Sequence, residues 1–450
     1  MACRVKQQDI LPAYDLSFDG LISLYTRYFD VLPDPRIGSN TQYKMRDMVV
    51  GAFSVFFMQE PSFLAHQRTL ESRCNRSNIH TLFQVESLPT DNHIRTSLDP
   101  LKPGLLTPIY NEIYEGLDAA GYIDDYLGVN DTLLIPLDAT QQLSSQKVHC
   151  KNCSTQQHKN GTITYSHKAI TPVIVSPNKS RVISLPPEII FPQDGHDKQD
   201  SEHAAAKRWL DAHIARYQAH HRVTILGDDL YAHQPFCELL SEKGAHFILT
   251  CKPGSHKTLY EWVNELQAAG HVSEVTRTRK KGKQVLTDTY RFVHQVPLRD
   301  GEDALRVNWC SITTTNADGK QVYHSAFVTD HDMTEDNVDL IIKSGRARWH
   351  IENGNNNTLK NHGYHLTHNF GHGKENLASF LLSLNILAFL FHTVLELNDK
   401  RYQLLRQTLS SRVAFFDSLR TLTTFILFDN WQHLMEFMMH GLNVSLPDTS

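Results

Sequence analysis

The sequence predicts an α/β protein with a sheet in the middle of the chain and helices at both ends. Residues 1–125 alternate apolar runs of helical period with polar breaks, and the same texture returns from about residue 331. Between these regions, from Thr132 onwards, the apolar runs are short and rich in β-branched residues. With 450 residues and 40% hydrophobic content, the chain is long enough for two or three folded domains.

The domain predicted for residues 1–125 is all helical. Its apolar runs, LISLYTRYFDVL and MRDMVVGAFSVFFMQ among them, are separated by turn-forming stretches such as PDPRIGSN and LPTDN. The chain starts with MACRVKQQDI, which lacks the apolar region of a signal peptide, and its seven cysteines are mostly far apart. These features argue against a disulfide scaffold, and we expect a cytoplasmic protein.

The region of residues 126–252 is the first part of the predicted α/β core. Three β-rich runs, LLIPLDAT, AITPVIVSP and RVISLPPEII, predict three consecutive strands. A helix over residues 198–220, the strand VTILGDD, a helix over residues 234–243 and the strand AHFILTCKP follow. Three antiparallel strands followed by alternating helix and strand is the order of an RNase H-like domain.

The remaining regions are a β-rich insertion and two helical ones. Residues 253–330 carry strand-like runs joined by Asp-Gly turns and predict the insertion. For the helical region of residues 331–373, Thr334 is a plausible N-cap, and residues 374–450 predict a C-terminal helical layer. Residues 377–397 approach the length of a membrane span, but polar residues within and beside them favour a buried core helix. We therefore expect no membrane partner.

Three carboxylates stand at positions that favour metal binding. Asp138 ends the run LLIPLD and Asp228 ends VTILGD, and the strand ends of an open α/β sheet form its usual active-site edge. Glu352 lies in the predicted helix RARWHIE, four residues after Arg348. Such a set suits Mg²⁺ or Mn²⁺, which phosphodiester cleavage uses. Strand-end aspartates are also common turn formers or caps, and we prefer Asp228 over the adjacent Asp229 as the metal ligand.

A second candidate metal group lies at about residues 144–168. The pair Cys150 and Cys153 has the spacing of a zinc half-site, and His167 with either His158 or His149 would complete a tetrahedral set. Zinc would hold together a loop that has few apolar side chains of its own. The chain has 26 histidines, so a chance cluster without a metal is the alternative.

The motifs around the three carboxylates resemble those of a known enzyme family. LDAT at Asp138, LGDDLYAHQPF at Asp228 and RARWHIENGNNNTLKNHGYHLTHNFGHGKENLASFLL around Glu352 are similar to the DDE transposases of bacterial insertion sequences that have a β-rich insertion before the glutamate. The resemblance covers roughly residues 20–440. It implies an RNase H-like catalytic core, Mg²⁺ dependence, cleavage at the ends of a mobile element and transfer of the 3′-hydroxyl ends to target DNA. It also implies a homo-oligomer on paired DNA ends.

The sequence departs from this family pattern at two positions. The family commonly has a tyrosine three residues before the arginine, a glutamate four residues after it and a lysine seven residues beyond the glutamate. Arg348 and Glu352 match, Gly345 stands at the tyrosine position, and the lysine comes one residue late as Lys360. On a straight helix Lys360 would be turned about 80° away from Glu352, unless the weak helix formers of residues 353–357 bend the helix. Arg348 is the preferred phosphate contact.

Because the formal net charge is −5, DNA must contact a local basic patch. The densest patch lies in the insertion and consists of Arg277, Arg279, Lys280, Lys281 and Lys283, with a solvated hairpin tip as the alternative explanation. Trp309 is a candidate for stacking on a base, with a core position as the alternative. The helices of residues 1–125 are candidates for binding the DNA ends.

Several assignments stay open on the sequence alone. The histidines that follow Glu352 are neighbours of the candidate site, as phosphate contacts or as loop residues; they are His362, His365, His368 and His372. A nuclease with the same core would cut DNA without joining it. A DNA-binding descendant of a transposase would have lost catalysis, and the intact carboxylate set argues against it.

Overall fold

The computed structural model describes residues 14–31, 34, 36, 38–194, 198–282 and 284–446. The N-terminal segment MACRVKQQDI and Lys283 of the basic patch lie outside the described residues. The described chain forms two compact units, one drawn from residues 1–124 and 359–450, the other from residues 125–358. The first unit is helical, and the second contains the strands.

The N-terminal part of the first unit is all helical, as predicted. Its helices are α1 (Phe18–Asp30), α2 (Met45–Phe57), α3 (Phe63–Thr69), α4 (Arg73–Phe83), α5 (Asp91–Leu98) and α6 (Thr107–Ala119). Ser17, Ser62 and Ser72 cap α1, α3 and α4, because each hydroxyl accepts the backbone N–H of the residue three positions later. These three helices therefore begin where the sequence supplies a side-chain acceptor.

The second unit has two sheets. In chain order its strands are β1 (Thr132–Pro136), β2 (Ala139–Ser145), β3 (Ser154–Gln157), β4 (Ile163–Ile170), β5 (Val173–Ser176), β6 (Lys179–Ser184), β7 (Glu188–Ile190), β8 (Arg222–Gly227), β9 (His246–Thr250), β10 (Ser273–Lys281), β11 (Gln284–Pro297), β12 (Arg306–Asn316) and β13 (Gln321–Thr329). Nine of them form one mixed sheet in the order β10-β11-β12-β13-β9-β8-β1-β5-β6. β1 pairs in parallel with β8, and β8 with β9, while the other pairs are antiparallel.

The β-rich insertion extends this sheet. Strands β10 to β13 form an antiparallel meander, and β13 pairs with β9, Phe327 lying opposite Thr250. The strands predicted for residues 253–330 therefore form, and they continue the central sheet across its β9 edge. Trp309 on β12 is 5% exposed and packs edge-on against Tyr260, so the core alternative is the correct one. A ring buried in this way has no face available for a DNA base.

The small sheet was not foreseen. Strand β4 pairs antiparallel with β2 along one side. On its other side, β3 pairs with the N-terminal part of β4 and β7 with the C-terminal part. The prediction of one strand for AITPVIVSP was wrong, because the chain leaves the small sheet at Ile170 and enters the large one at Val173. About half of residues 144–168, which were predicted as a polar loop, lie in strands. The exposed side chains of β3 give no apolar alternation from which that strand could be recognised.

The helices of the second unit are α7 (Lys198–Gln218), α8 (Gln234–Glu242), α9 (Lys257–Ala268) and α10 (Val338–Arg346). The short helix α11 (Asn357–Asn361) follows at the end of the unit. The N-cap of α10 is Asn337, and Thr334 lies one turn earlier, where its hydroxyl accepts the N–H of Asn337. The single helix predicted through RARWHIE is interrupted by a turn after Arg346. The chain then continues as a π-helical segment, Ile351–Asn356.

The first unit is completed by the C-terminal helices α12 (Leu377–Asn398), α13 (Lys400–Thr408), α14 (Arg412–Phe425) and α15 (Trp431–Gly441). Among the described residues, α12 has the length and composition of a membrane span, and its most apolar window is entirely buried. Phe391 of α12 packs on Phe53 of α2 with ring centroids 4.8 Å apart. The prediction of a buried core helix is confirmed.

Candidate active site

Asp138 and Asp228 leave two adjacent parallel strands at the same edge. In the β1–β8 pair Pro136 lies opposite Leu226, and Leu137 N–H donates to the Leu226 carbonyl at 2.9 Å. Asp138 follows Pro136 by two residues, and Asp228 follows Leu226 by two residues. Parallel neighbours are about 4.8 Å apart, so the two carboxylates emerge side by side.

Local backbone bonds orient both carboxylates. Asp138 Oδ1 accepts the Ala139 N–H at 3.0 Å, and Asp228 Oδ1 accepts the Leu230 N–H at 2.9 Å. Both residues are half-buried. The loop after each strand thus fixes a carboxylate that remains accessible from outside the sheet.

Asp229, the neighbour of Asp228, has a different role. Its two carboxylate oxygens accept the Lys252 N–H at 2.6 Å and the Ser255 hydroxyl at 2.5 Å, and His256 Nε2 lies 3.4 Å away. Burial, opposed by the Asp229 charge, lowers the pKa of His256. Asp229 therefore holds the loop that follows β9, in line with the capping role expected of it.

Glu352 lies on the π-helical segment. Its side chain is half exposed, and its Oε1 accepts a hydrogen bond from Arg348 Nη2 at 2.7 Å. Further along the segment, Asn356 Oδ1 accepts the Thr171 hydroxyl at 2.9 Å, and the Thr171 N–H donates to the Asp138 carbonyl at 3.1 Å. Two hydrogen bonds through Thr171 therefore connect the backbone of Asp138 to the segment that carries Glu352.

Tyr231 is a buried residue in the turn that follows β8. It is 1% exposed and lies so close to Gly227 that a Cβ on that glycine would be 2.9 Å from the Cβ of Tyr231. Burial holds the pKa of Tyr231 well above its usual value, and the negative charges of Glu202, Asp138 and Asp228 raise it further. Arg348 acts in the opposite direction. One buried phenol thus feels both strand-end carboxylates and the arginine that binds Glu352.

Glu202 near the N-terminus of α7 is a candidate site residue that the sequence analysis did not include. It is 3% exposed and shares a helical stripe with the buried residues Ala205, Ala206 and Trp209. The Nε2–H of the adjacent His203 donates to the Leu230 carbonyl, 2.8 Å away. A glutamate on the buried stripe of a helix is the sequence signal that could have identified it.

The two departures from the family pattern have structural counterparts. A Cβ on Gly345 would lie 2.8 Å from Ile248 Cγ2 and 3.0 Å from the Phe327 ring, so the tyrosine of the family does not fit there. The π-helical segment contains one more residue per hydrogen-bonded turn than an α-helix. It contains Glu352 and ends four residues before Lys360.

A group of two cysteines and a histidine could hold a metal such as zinc. The ligand atoms of Cys150, Cys153 and His167 lie within 4.8 Å of one another, and Cys150 is partly exposed. The two sulfurs are 3.9 Å apart, and His167 Nε2 is 3.5 Å from Cys150 Sγ and 3.4 Å from Cys153 Sγ. Tetrahedral zinc would separate such atoms by about 3.5–3.8 Å. Burial raises the pKa of the Cys153 thiol to about 11.

His158 and His149, the two candidates for the fourth ligand, both contact other side chains. His158 is exposed, and its Nε2 lies 2.8 Å from the Thr164 hydroxyl on the neighbouring strand. His149 stacks on Tyr165 with ring centroids 4.5 Å apart. Proximity in sequence favoured His158 because a C-x2-C pair is normally completed by a nearby pair of ligands.

The basic patch lies on β10 and is partly neutralised. Arg277 pairs with Asp339 at 2.8 Å, and Arg279 pairs with Asp288. Lys280 is exposed. Lys281 lines a groove of about 520 Å³ between β10, β11 and α10. Of the five predicted phosphate contacts, two arginines therefore already have carboxylate partners.

The α10 side of the groove adds cations that the sequence analysis did not assign to DNA. Arg346 lines the groove and lies over the Tyr323 ring, 4.4 Å from its centroid. Lys343 also lines it and pairs with Asp339. The groove is therefore a candidate phosphate-binding surface. Its lining residue Arg346 precedes Arg348 by two residues in the chain.

Comparison with known proteins gave no match to any family model, nor to any curated protein.

Proposed function

We propose that the protein is a DNA transposase of the DDE type, which cuts DNA strands at the ends of an insertion sequence and joins them to target DNA. The observation that carries the proposal is the placement of Asp138 and Asp228 at the ends of adjacent parallel strands, with Glu352 on a segment hydrogen-bonded to the same edge. The donor set is all carboxylate oxygen, which suits Mg²⁺ or Mn²⁺. Bound there, such cations would activate an attacking oxygen and stabilise a leaving one.

The strand order supports an RNase H-like core for this site. In the order β6-β5-β1-β8-β9, the first three strands pair antiparallel, and β8 and β9 then extend the sheet parallel to β1. Asp138 follows the central strand β1, and Asp228 follows its parallel neighbour β8. Carboxylates at the ends of these two strands are well placed to share a cation because the sheet itself fixes their separation.

The π-helical segment supports roles for Arg348 and Lys360 as phosphate contacts. Because an i→i+5 turn takes up one extra residue, the eight-residue spacing from Glu352 to Lys360 has the helical phase of seven residues in an α-helix. The predicted turn of about 80° away from Glu352 is thereby removed. Arg348, whose side chain is 19% exposed, can release Glu352 to a cation and turn its guanidinium to a phosphate.

DNA would approach along the groove lined by Lys281 and Arg346. Phosphate contacts contribute to affinity mainly by releasing condensed counterions, so each cation adds to the salt dependence. Replacement of Lys281 by alanine is expected to reduce the slope of log affinity against log salt by about 0.9. The measurement is DNA binding by fluorescence anisotropy over a salt series. Lys320→Ala, at an exposed position outside the groove, is the matched control; equal slopes for both variants would contradict the assignment.

We further propose that the cysteine group binds zinc and that zinc stabilises the small sheet. Cys150 and Cys153 lie in the connection between β2 and β3, and His167 lies on β4, which pairs with both strands. The strand β3 is polar and largely exposed, so it buries little apolar surface of its own. A metal that joins this connection to β4 would supply the missing stability.

Strand transfer tests the proposed function. Purified protein and the Glu352→Gln variant are incubated with Mg²⁺ and DNA that carries the ends flanking the element, and nicked and joined products are scored. We expect both products from the parent protein and a loss of at least about 10³-fold in the variant, because the third ligand of the cation is removed. Cleavage without joining would indicate a nuclease. Binding without cleavage would contradict the enzyme and favour a DNA-binding descendant.

A further inference from the structure

Two histidines and an aspartate lie together at the end of the sheet opposite to the candidate active site. His246 is the first residue of β9, and Asp330 and His331 directly follow β13, which pairs antiparallel with β9. Asp228 follows the other end of β8, the parallel neighbour of β9. One ligand atom from each of the three side chains lies within 4.8 Å of the other two. Imidazole nitrogens with a carboxylate oxygen are ligands that Zn²⁺ and Ni²⁺ accept in proteins.

Hydrogen bonds to β9 hold these three residues in place. Asp330 Oδ1 accepts the Phe247 N–H at 2.9 Å, and Asp330 Oδ2 accepts the Nδ1–H of His246 at 2.8 Å. The Thr329 hydroxyl donates to the Phe247 carbonyl at 2.6 Å and accepts the His331 N–H at 3.1 Å. The two imidazole rings are stacked with their centroids 4.6 Å apart. The sheet itself therefore brings the two rings and the carboxylate together.

Hydrogen bonds also determine which nitrogen of His331 carries a lone pair. The Thr132 hydroxyl donates its proton to the Val129 carbonyl at 2.8 Å. The Thr224 hydroxyl, whose oxygen is 2.7 Å from that of Thr132, must then donate to Thr132, because each hydroxyl has one proton. His331 Nε2 lies 3.0 Å from the Thr224 oxygen and therefore donates to it. The proton of the neutral His331 ring is on Nε2, and the lone pair is on Nδ1.

The exposed amide of Asn130 covers this lone pair. Asn130 Nδ2 lies 3.1 Å from His331 Nδ1 and donates to it. An ion would replace the amide at this nitrogen. His331 is 3% exposed, and burial lowers the pKa of its imidazole to about 4. The ring is thus neutral at neutral pH and can bind an ion without first losing a proton.

We propose that His246, Asp330 and His331 form a binding site for a divalent transition metal of the Zn²⁺ and Ni²⁺ class. His331 contributes Nδ1, and His246 contributes a ring nitrogen. Asp330 supplies the negative charge, either as an oxygen ligand or as the carboxylate that orients His246. The site differs from the cysteine group because it has no sulfur ligand, and from the carboxylate edge because it has nitrogen ligands. It does not depend on the proposed function.

The test is Ni²⁺ binding by the untagged full-length protein without DNA, purified without chelators and measured by calorimetry at mildly alkaline pH. The hydrogen bond to Asp330 raises the pKa of His246, and a protonated ring cannot bind a metal, so the pH must keep this ring neutral. We expect a Ni²⁺ site that His246→Gln and Asp330→Asn each weaken by about 10-fold or more. His271→Gln, at an exposed histidine of the same unit, is the matched control and should bind as the parent does.

Asn130→Gly separates a metal site from a hydrogen-bond network that only stabilises the fold. Asn130 has a φ of 53°, which glycine adopts without strain, and the variant removes the amide that competes for His331 Nδ1. It should therefore tighten Ni²⁺ binding by about 2- to 10-fold, as the loss of one competing hydrogen bond allows. Weaker or unchanged binding by Asn130→Gly would contradict the assignment of Nδ1 as a ligand.

X-ray absorption at the nickel edge of the parent protein decides the question if His246→Gln or Asp330→Asn does not fold. Nitrogen and oxygen neighbours with the scattering of imidazole rings would support the site. Sulfur neighbours would place the ion at the cysteine group, and oxygen neighbours alone would place it at the carboxylate edge. Either result would overturn the inference, as would a parent protein that binds no Ni²⁺ or binds it no more tightly than the two variants.

Discussion

Asp228→Asn is expected to reduce DNA cleavage and joining by about 10³-fold or more without a change in thermal stability. The variant keeps the size of the side chain and the oxygen that accepts the Leu230 N–H, so the loop should remain in place. It removes a negative charge from the candidate cation site, and this interaction contributes several kcal/mol to catalysis. The measurements are the strand-transfer assay and the unfolding temperature in EDTA.

Asp229→Asn is the control, because the same substitution one residue later should have a different effect. Both oxygens of Asp229 accept hydrogen bonds from the loop of residues 252–255, and the amide of asparagine would keep them as weaker, uncharged bonds, with its oxygen on the Lys252 N–H and its nitrogen on the Ser255 hydroxyl. We expect a loss of about 1 kcal/mol in stability, because hydrogen bonds to a charged group are about twice as strong as neutral ones. Equal loss of activity without loss of stability in both variants would contradict the division of roles between the two aspartates.

Removal of zinc is expected to have the second large effect. Cys153→Ser should purify without zinc, whereas the parent should contain one zinc ion per chain, measured by atomic absorption. The short polar strand β3 should then separate from β4, because metal binding provides several kcal/mol of its stability. Limited proteolysis should cut the variant between residues 145 and 163 at conditions under which the parent stays intact.

His158→Ala is the matched control for zinc, since sequence proximity made His158 a candidate ligand. Its imidazole lies beside the Thr164 hydroxyl and is exposed, so the variant should keep the zinc content of the parent. A parent protein without zinc, purified without chelators, would refute the proposal. Loss of zinc in His158→Ala would refute the ligand set.

The local pattern of the sequence was sufficient for many elements. The N-terminal helices, the buried α12 and the strands β1, β8 and β9 were predicted because each is long or apolar enough to show its own period. The strands β2 and β3 were missed since their side chains are polar and mostly exposed. Such strands are stabilised by pairing with a neighbour that the local sequence does not reveal.

The sequence by itself determined which residues stand at the ends of the apolar strands, and hence the candidates Asp138 and Asp228. The tertiary structure decided which other groups join them. α7 packs on the loop after β8 through the hydrogen bond of His203 to Leu230, and the chain forms a π-helical turn at Glu352. Strand ends follow from side-chain period, which is local. Packing between distant elements depends on complementary surfaces formed only when the chain folds, so it leaves no local pattern in the sequence.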